Sequence, residues 1–277
     1  MSQSDLLELE GFPPSRLSVR HFSLMNSLLT VVNSSPCNSS ESVLARYFLE
    51  RFDQLAELNV YDVAEACFTS RSGIRRFCQS IGFENFSELK SCGWEWEKHK
   101  EFYGGYAERV GDGSGLTAQI SEMMDCIKQG IAPDEIAGLA SLIHDAGEVW
   151  LVASDFSSMA IREFQQSMLL MHKLVHILTD SSGDAADLRA LTDQDLVVVI
   201  SASGNYARAA ERQLAESHGC KVLITAHCDE CLFDRFDAVL SLANRARYGE
   251  RTVYAKYGMA YFFDLLYACY MRMFGDT

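Results

Sequence analysis

Apolar residues recur at helical spacing through the first third of the chain. A polar stretch, NSSPCNSS, interrupts the pattern once, and Ser40 or Ser42 is expected to cap the helix that follows. The pattern predicts an all-α N-terminal domain over residues 19–97, after a loose tail at residues 1–18. The segments with this period are residues 19–33, 41–54, 60–67 and 71–81.

The third and fourth predicted helices have the arrangement of a helix-turn-helix motif. Phe68 and Thr69 form a brief turn between them, and Ser70 is a good N-cap for the second helix, which Gly82 ends. One side of that helix is apolar and the other sides are polar, as in a DNA-reading helix. The residues predicted to contact DNA are Ser70, Arg71, Ser72, Arg75, Arg76 and Gln79.

The second half of the chain alternates between apolar runs and helical segments. Five glycines in residues 98–118 predict a flexible linker before it. Near-continuous apolar strands that alternate with helices imply a parallel sheet covered on both faces. We therefore predict an α/β domain over residues 119–277, with three α-β-α layers around a five-stranded parallel sheet. The apolar runs are residues 148–153, 174–178, 196–200, 222–225 and 238–242.

The formal net charge of −14 argues against general attraction to nucleic acid. Residues 69–82, TSRSGIRRFCQSIG, run against this trend because they hold three arginines and no acid. A local cationic patch in an acidic chain suits a protein that binds a specific DNA site. The alternative is an ordinary solvated helix face, and charge alone does not separate the two.

The strongest sign of a small-molecule site follows the third apolar run. The strand DLVVVI leads directly into SASG, and a helix begins near Tyr206. Hydroxyls, a permissive glycine and backbone N–H groups at a helix start can cradle an anion. The alternative is a plain strand-to-helix turn. Together with the loop after the first run, the candidate ligand-binding residues are Ser157, Ser201, Ser203, Gly204 and Asn205.

No arrangement typical of an enzyme or a metal centre stands out. The segment HCDEC at residues 227–231 offers one CxxC with a histidine, whereas structural zinc needs four ligands. The motifs HExxH, GxSxG and GxxxxGK[ST] are missing from the sequence. Glu250 is a candidate ligand-binding residue and general base, and its alternative is a loop charge. We expect no catalytic residue, no metal and no cofactor.

The composition predicts a cytoplasmic protein. Nine cysteines are scattered through apolar segments, which suits reduced thiols better than a disulfide framework. No apolar stretch reaches the roughly 18 to 20 residues that span a bilayer. The N-terminus lacks a secretory pattern, so we expect no membrane partner.

Two parts of the chain together resemble the RpiR/MurR-type transcription regulators. VAEAC, SRSGIRRFCQSIGF and NFSELK resemble the helix-turn-helix of that family, and SASG with GCKVLIT resembles its sugar isomerase (SIS) domain. The resemblance implies DNA binding through the second helix and a homodimer or homotetramer built partly by SIS domains. It also implies regulation of a carbohydrate-metabolism operon by a phosphorylated sugar. Within it, Ser201 and Ser203 match phosphate-binding serines, and Ser157 matches a serine of the first loop.

The chain departs from the family pattern at four positions. Ala153 and Asp155 replace glycines of the first loop, which limits close backbone approach and adds a negative charge. Tyr206 takes the place of a hydroxyl residue common in the family and could reshape the phosphate site. Gly73 replaces another hydroxyl residue and softens the DNA-reading helix. A ligand without phosphate therefore stays open.

We predict a transcription regulator, not an enzyme, that binds double-stranded DNA at an inverted-repeat operator and senses a sugar phosphate or related metabolite. Two alternatives stay open. One is a sugar-phosphate isomerase or lyase with Glu250 as proton shuttle, and the other is an SIS domain kept only for dimerisation. The identity of the effector, the operator sequence and the direction of regulation do not follow from the sequence.

Overall fold

The chain divides into two compact units, Met1–Gly105 and Tyr106–Thr277. The division falls inside the region where the sequence predicts a linker, and the predicted tail at residues 1–18 lies outside the described part of the chain. The computed structural model describes residues 23–154, 157–180, 186–227, 232, 234–243 and 253–275.

The N-terminal unit is built from short helices with polar caps. Ser39, and not Ser40 or Ser42, caps the second helix, because its hydroxyl accepts a hydrogen bond from Ser42 N at 3.1 Å. The elements are α1 (Leu24–Ser34), α2 (Ser40–Glu50), a 3-10 helix (Phe52–Glu57), α3 (Val60–Ala66), α4 (Arg71–Ser80), α5 (Phe86–Lys90) and α6 (Glu95–Val110), the last of which continues into the second unit.

The core of the N-terminal unit is centred on Phe48, which is fully buried. Its ring centroid lies 5.9 Å from those of both Phe77 and Phe86. Burial of a large apolar side chain contributes about 1.5–3 kcal/mol, so the apolar stripe of α4 determines which face of the helix points outward. That stripe was predicted from the sequence and consists of Ile74, Phe77 and Cys78, all buried, and the half-buried Ile81.

The C-terminal unit alternates helices and strands around one sheet. Its elements are α7 (Ser114–Gly130), α8 (Pro133–Asp145), β1 (Val149–Ala153), α9 (Ser158–Leu170), β2 (His176–Leu178), α10 (Ala186–Arg189), β3 (Leu196–Ile200), α11 (Asn205–Ala215), β4 (Cys220–Thr225), β5 (Ala238–Ser241), a π-helix (Tyr254–Gly258) and α12 (Met259–Phe274).

The sheet has the strand order β2-β1-β3-β4-β5, and each neighbouring pair is parallel. Every residue of the central strand β3 is buried, as expected for a strand with helices on both faces. The predicted fold class, an all-α unit followed by an α/β unit with a five-stranded parallel sheet, is confirmed. The chain reverses direction across the sheet between β1 and β3, and parallel sheets bind ligands beside such a switch point.

Residues 98–118 differ from the prediction of a flexible linker, because most of them lie in α6 and α7. A Cβ at Gly104 would meet no other atom, so packing does not require glycine at this position. Relative to alanine, glycine lowers the stability of α6 by about 1 kcal/mol. Gly111 and Gly113 do interrupt the helix. Their φ angles of 46° and 89° are left-handed and separate α6 from α7.

Candidate functional site

Side-chain caps hold the starts of α3 and α4. Asn59 Oδ1 accepts a hydrogen bond from Tyr61 N at 2.9 Å, and Ser70 Oγ accepts one from Gly73 N at 3.1 Å. The hydroxyl of Ser72 lies 2.9 Å from that of Ser70, so these two serines also hydrogen-bond to each other. The second helix of the motif therefore begins in a defined orientation.

The turn between α3 and α4 contains two unusual residues. Phe68 has a left-handed φ of 50°, and its side chain is 97% exposed, so no packing offsets the strain of that backbone. A Cβ at Gly73 would collide with Thr69 Oγ1. A residue with a Cβ at position 73 would therefore require the Thr69 side chain to move.

Replacement of Phe68 with Gly is expected to raise the unfolding free energy of the N-terminal unit by up to about 1.5 kcal/mol. Glycine relieves a left-handed strain of roughly 1–2 kcal/mol and loses about 0.5–1 kcal/mol to chain entropy. Urea denaturation of the full chain, followed by tryptophan fluorescence, measures the change. The control Phe68→Ala removes the ring but keeps the strain, so equal gains for both variants would contradict the backbone explanation.

All six residues predicted to contact DNA are exposed on the outward side of α4 and its N-cap. Within the described residues, Arg75 and Arg76 form no ion pair with a carboxylate. Arg71 Nη1 donates to the hydroxyl of Tyr61 at 3.3 Å, and its guanidinium carbon lies 5.2 Å from the centroid of that ring. The three guanidinium groups are therefore available to an external anion.

Two concavities flank α4. One, of about 490 Å³, lies between α4 and the starts of α3 and α5, and the other, of about 420 Å³, lies near the end of α4. Arg75 lines both, whereas Glu84 lines only the second. The sequence analysis missed Asn85 and Ser87, which line the first concavity. The available signal was the helix start in NFSELK, just beyond Gly82.

Glu95, the first residue of α6, is a buried acid that caps α1. Its Oε1 accepts from Leu24 N at 2.9 Å, and its Oε2 accepts from Met25 N at 3.2 Å and from Ser23 Oγ at 3.4 Å. Burial raises the pKa of Glu95 to about 7, although these hydrogen bonds act to lower it. His99 Nε2 lies 4.0 Å from Oε2, and burial lowers the pKa of His99.

In the C-terminal unit, the predicted ligand loop connects β3 to α11. Ser201 Oγ accepts a hydrogen bond from Ala207 N at 3.2 Å, and Ser203 Oγ accepts one from Asn205 N at 3.3 Å. Each hydroxyl keeps its own proton, which it can donate to an anion. The two serines thus stabilise the start of α11 and present donors in the same loop.

Gly204 allows this loop to close tightly. Its φ of 81° is left-handed, and a Cβ there would lie 3.1 Å from Leu232 Cδ1 and 3.2 Å from His227 Cδ2. Ser201 is only 3% exposed and Tyr206, in the first turn of α11, is 2% exposed. A ligand at this loop would therefore meet a closely packed surface.

The carboxyl ends of β1 and β3 lie side by side in the sheet. Ala153 pairs with Ile200 in the parallel register, so both strands end at the same edge of the sheet. Ser157 is 6% exposed at the start of α9, and its side chain makes no capping hydrogen bond. The structure therefore brings the Ser157 and Ser201 loops to one edge.

Several predicted residues cannot be placed. Asp155, Glu250 and the cysteines of HCDEC lie outside the described residues. Within the described ranges, no three His, Cys, Asp or Glu side chains are grouped so as to hold a metal ion. No helix in the described part of the chain has the length and apolar character needed to cross a membrane.

Comparison with known sequences identifies a family model for part of the N-terminal unit and relatives of the chain. Residues 27–93 match the model of the helix-turn-helix domain, rpiR family. Over 68 residues, 24% of each chain, the sequence is 43% identical to an uncharacterized HTH-type transcriptional regulator of Caldanaerobacter subterraneus subsp. tengcongensis. It is 22% identical over 174 residues to the HTH-type transcriptional regulator GlvR of Bacillus subtilis, a match that covers 61% of this chain and 63% of that protein. Each of these matches spans less than two thirds of the relative.

Two solved structures align at low identity. The Vibrio vulnificus NanR protein, complexed with ManNAc-6P, aligns over 91% of this chain and 93% of its own, with 16% identity and a TM-score of 0.47. The sugar isomerase domain of an RpiR transcription factor from Sphaerobacter thermophilus covers 57% of this chain and 88% of its own, with 18% identity and a TM-score of 0.47.

Proposed function

We propose that the chain is a transcription regulator that binds double-stranded DNA through α4, because residues 27–93 match the model of the helix-turn-helix domain, rpiR family. The exposed polar face of α4 carries this proposal. Its arginines Arg71, Arg75 and Arg76 form no ion pair with a carboxylate among the described residues. Guanidinium groups bind phosphate oxygens and guanine edges, the two features that a reading helix contacts.

The regulator acts as a homodimer or larger homo-oligomer at an inverted-repeat operator, and it is not an enzyme. One helix pair reads one half-site, so a two-fold dimer matches a two-fold sequence. Selection of bound duplexes from a random library, followed by gel shift at fixed salt, tests this proposal. We expect enrichment of an inverted repeat with half-sites separated by whole helical turns. Failure to enrich any duplex would contradict the proposal.

The C-terminal unit senses a phosphorylated sugar or related metabolite at the loops after β1 and β3, and thereby controls a carbohydrate-metabolism operon. The hydroxyls of Ser201 and Ser203 lie at the start of α11, where backbone N–H groups and the helix dipole favour an anion. Ser157 lies on the neighbouring loop at the switch point of the sheet. These features support an anionic group as the part of the ligand that is recognised.

Substitution of Ser201 by Ala is expected to abolish most of the stabilisation that the effector gives. A ligand at 100 times its dissociation constant stabilises the wild type by about 2.7 kcal/mol. Without ligand, the unfolding free energy of the variant is about 1 kcal/mol below that of the wild type, because Ala207 N loses its hydrogen-bond acceptor. Thermal unfolding of the full chain with a panel of sugar phosphates measures both effects.

The control for this experiment is Ser167→Ala, which changes a half-buried serine of α9 whose hydroxyl donates to Glu163 O. It should keep the full response to the effector. An undiminished response in the Ser201 variant would contradict the site assignment. If no sugar phosphate stabilises the wild type, the result would favour a C-terminal unit kept for dimerisation. If the protein converts a sugar phosphate into a product, the result would favour the isomerase or lyase alternative.

A further inference from the structure

The larger concavity beside α4 has a lining that suits an anion. It holds two guanidinium groups, hydroxyl and amide groups and no carboxylate, whereas the smaller concavity includes Glu84. Both Asn85 and Ser87 are exposed there, at the start of α5. The lining residues are Val60, Arg71, Ser72, Arg75, Asn85, Phe86 and Ser87.

Donors in this concavity remain available after the internal hydrogen bonds are counted. Asn85 uses Oδ1 to cap Glu88 N at 3.0 Å, which leaves its amide N–H groups to donate outward. Ser87 Oγ forms no hydrogen bond with another described residue. Arg71 uses one of its five N–H donors on Tyr61, so the others can reach a ligand.

Tyr61 fixes the position of Arg71 within this surface. The phenolic oxygen accepts from Nη1 at 3.3 Å, and the guanidinium carbon lies 5.2 Å from the ring centroid. Tyr61 is itself 62% exposed, so it holds the arginine at the surface and does not bury it. An arginine held in one place loses less conformational freedom when its planar guanidinium binds a phosphate.

We propose that this concavity binds one phosphodiester of the DNA backbone, with Arg71, Asn85 and Ser87 as donors and Tyr61 as the positioning residue for Arg71. The inference rests on the proposed function and assigns different tasks to the arginines of α4. Arg71 sets the position of the helix on the duplex. Arg75 lines this concavity but also the smaller one, and we assign it, with Arg76, to the base edges. A phosphate contact carries no sequence information, so its effect is equal on every duplex.

The experiment measures affinity for a random-sequence duplex and for the selected duplex as a function of salt. We expect Arg71→Ala to lower the affinity for both duplexes by the same factor. It should also reduce the slope of log K against log salt concentration by about 0.9 for each protomer bound, the value for one lost phosphate contact. Ser87→Asp adds a charge that repels phosphate. It should lower the affinity for both duplexes and leave the melting temperature of the protein unchanged. The control Arg212→Ala, in α11 of the other unit, leaves the slope unchanged.

A double-mutant cycle tests the role of Tyr61. Tyr61→Phe keeps the ring but removes the acceptor for Arg71, so we expect a loss of affinity of about two- to fivefold in the wild type and none in the Arg71→Ala background. Independent, additive losses would overturn the positioning role.

The outcomes separate this inference from the function on which it rests. A wild type that binds no duplex overturns both. A wild type that binds, with a salt slope that Arg71→Ala leaves unchanged, overturns the phosphate assignment alone. If the Arg71 variant loses its preference for the selected duplex, Arg71 reads a base, and this result would also overturn the phosphate assignment. Competition by inorganic phosphate at constant ionic strength would indicate a site for the free anion instead.

Discussion

Replacement of Arg75 and Arg76 together with alanine is expected to weaken binding to the selected duplex by roughly 30-fold or more. Each arginine that pairs with a guanine edge contributes about 1–3 kcal/mol of discrimination, and 1.4 kcal/mol is tenfold in affinity. Both side chains are exposed and form no ion pair among the described residues, so the melting of both units should not change. Gel shift at fixed salt, with thermal unfolding in parallel, measures the two quantities.

The matched control is Arg212→Ala, which removes one positive charge from an exposed position of α11. It changes the net charge of the chain but leaves α4 intact, so its affinity should equal that of the wild type. An equal loss in the control would mean that overall charge governs the affinity. Unchanged binding by the double variant would count against α4 as the reading helix.

Raising the pH from about 5 to about 8 is expected to lower the unfolding free energy of the N-terminal unit by up to about 3 kcal/mol through Glu95. Burial raises the pKa of Glu95 from 4.5 to about 7 in the folded state. The folded state therefore binds this proton more tightly than the unfolded state. The stabilisation is complete below pH 4.5 and is lost as the pH rises through 7, at about 1.4 kcal/mol of unfolding free energy for each pH unit.

His99 contributes in the opposite direction. Burial, with the charge of Lys98, lowers the pKa of His99 below 6.5 in the folded state, so its contribution to stability grows as the pH rises. The variant His99→Gln removes this contribution and should steepen the fall, whereas Glu95→Gln should remove the fall. Urea denaturation at a series of pH values, followed by tryptophan fluorescence, measures the slopes. A His99 variant whose stability rises over this range would contradict the assignment to Glu95.

The helices that face a core and the strands that fill one were predictable from the sequence. The stripe of Ile74, Phe77 and Cys78 has helical spacing and is buried as predicted. The continuous apolar run Leu196–Ile200 becomes the central, fully buried strand. Burial against a core is a large free energy for each residue, and it leaves a period in the sequence.

The linker was not predictable from its glycines. Glycine lowers helix propensity by about 1 kcal/mol, but a helix continues where its other residues favour it. The sequence does not show which glycine adopts a left-handed φ. Among the glycines of residues 98–118, only Gly111 and Gly113 have a left-handed φ, and Gly104 stays inside α6.

The candidate sites were predictable in part. Serines and arginines next to helix starts were identified because their chemistry depends on local sequence. Tyr61 and Arg71 are ten residues apart and meet only because the turn folds α4 back on α3. Glu95 lies in the charged run EWEKHKE, where nothing distinguishes the one acid that reaches the start of a helix 71 residues earlier. Contacts of this kind depend on tertiary packing.

The separation of charge described for α4 has a consequence for how the chain would search a genome. At separations near the Debye length, about 8 Å in physiological salt, the net charge of −14 gives a weak, partly screened repulsion between the chain and the duplex. Only a close approach with the arginine face turned inward is attractive, so most encounters end without capture. Time spent sliding on unrelated sequence is then short, and the chain reaches its target mainly by repeated release and return through solution.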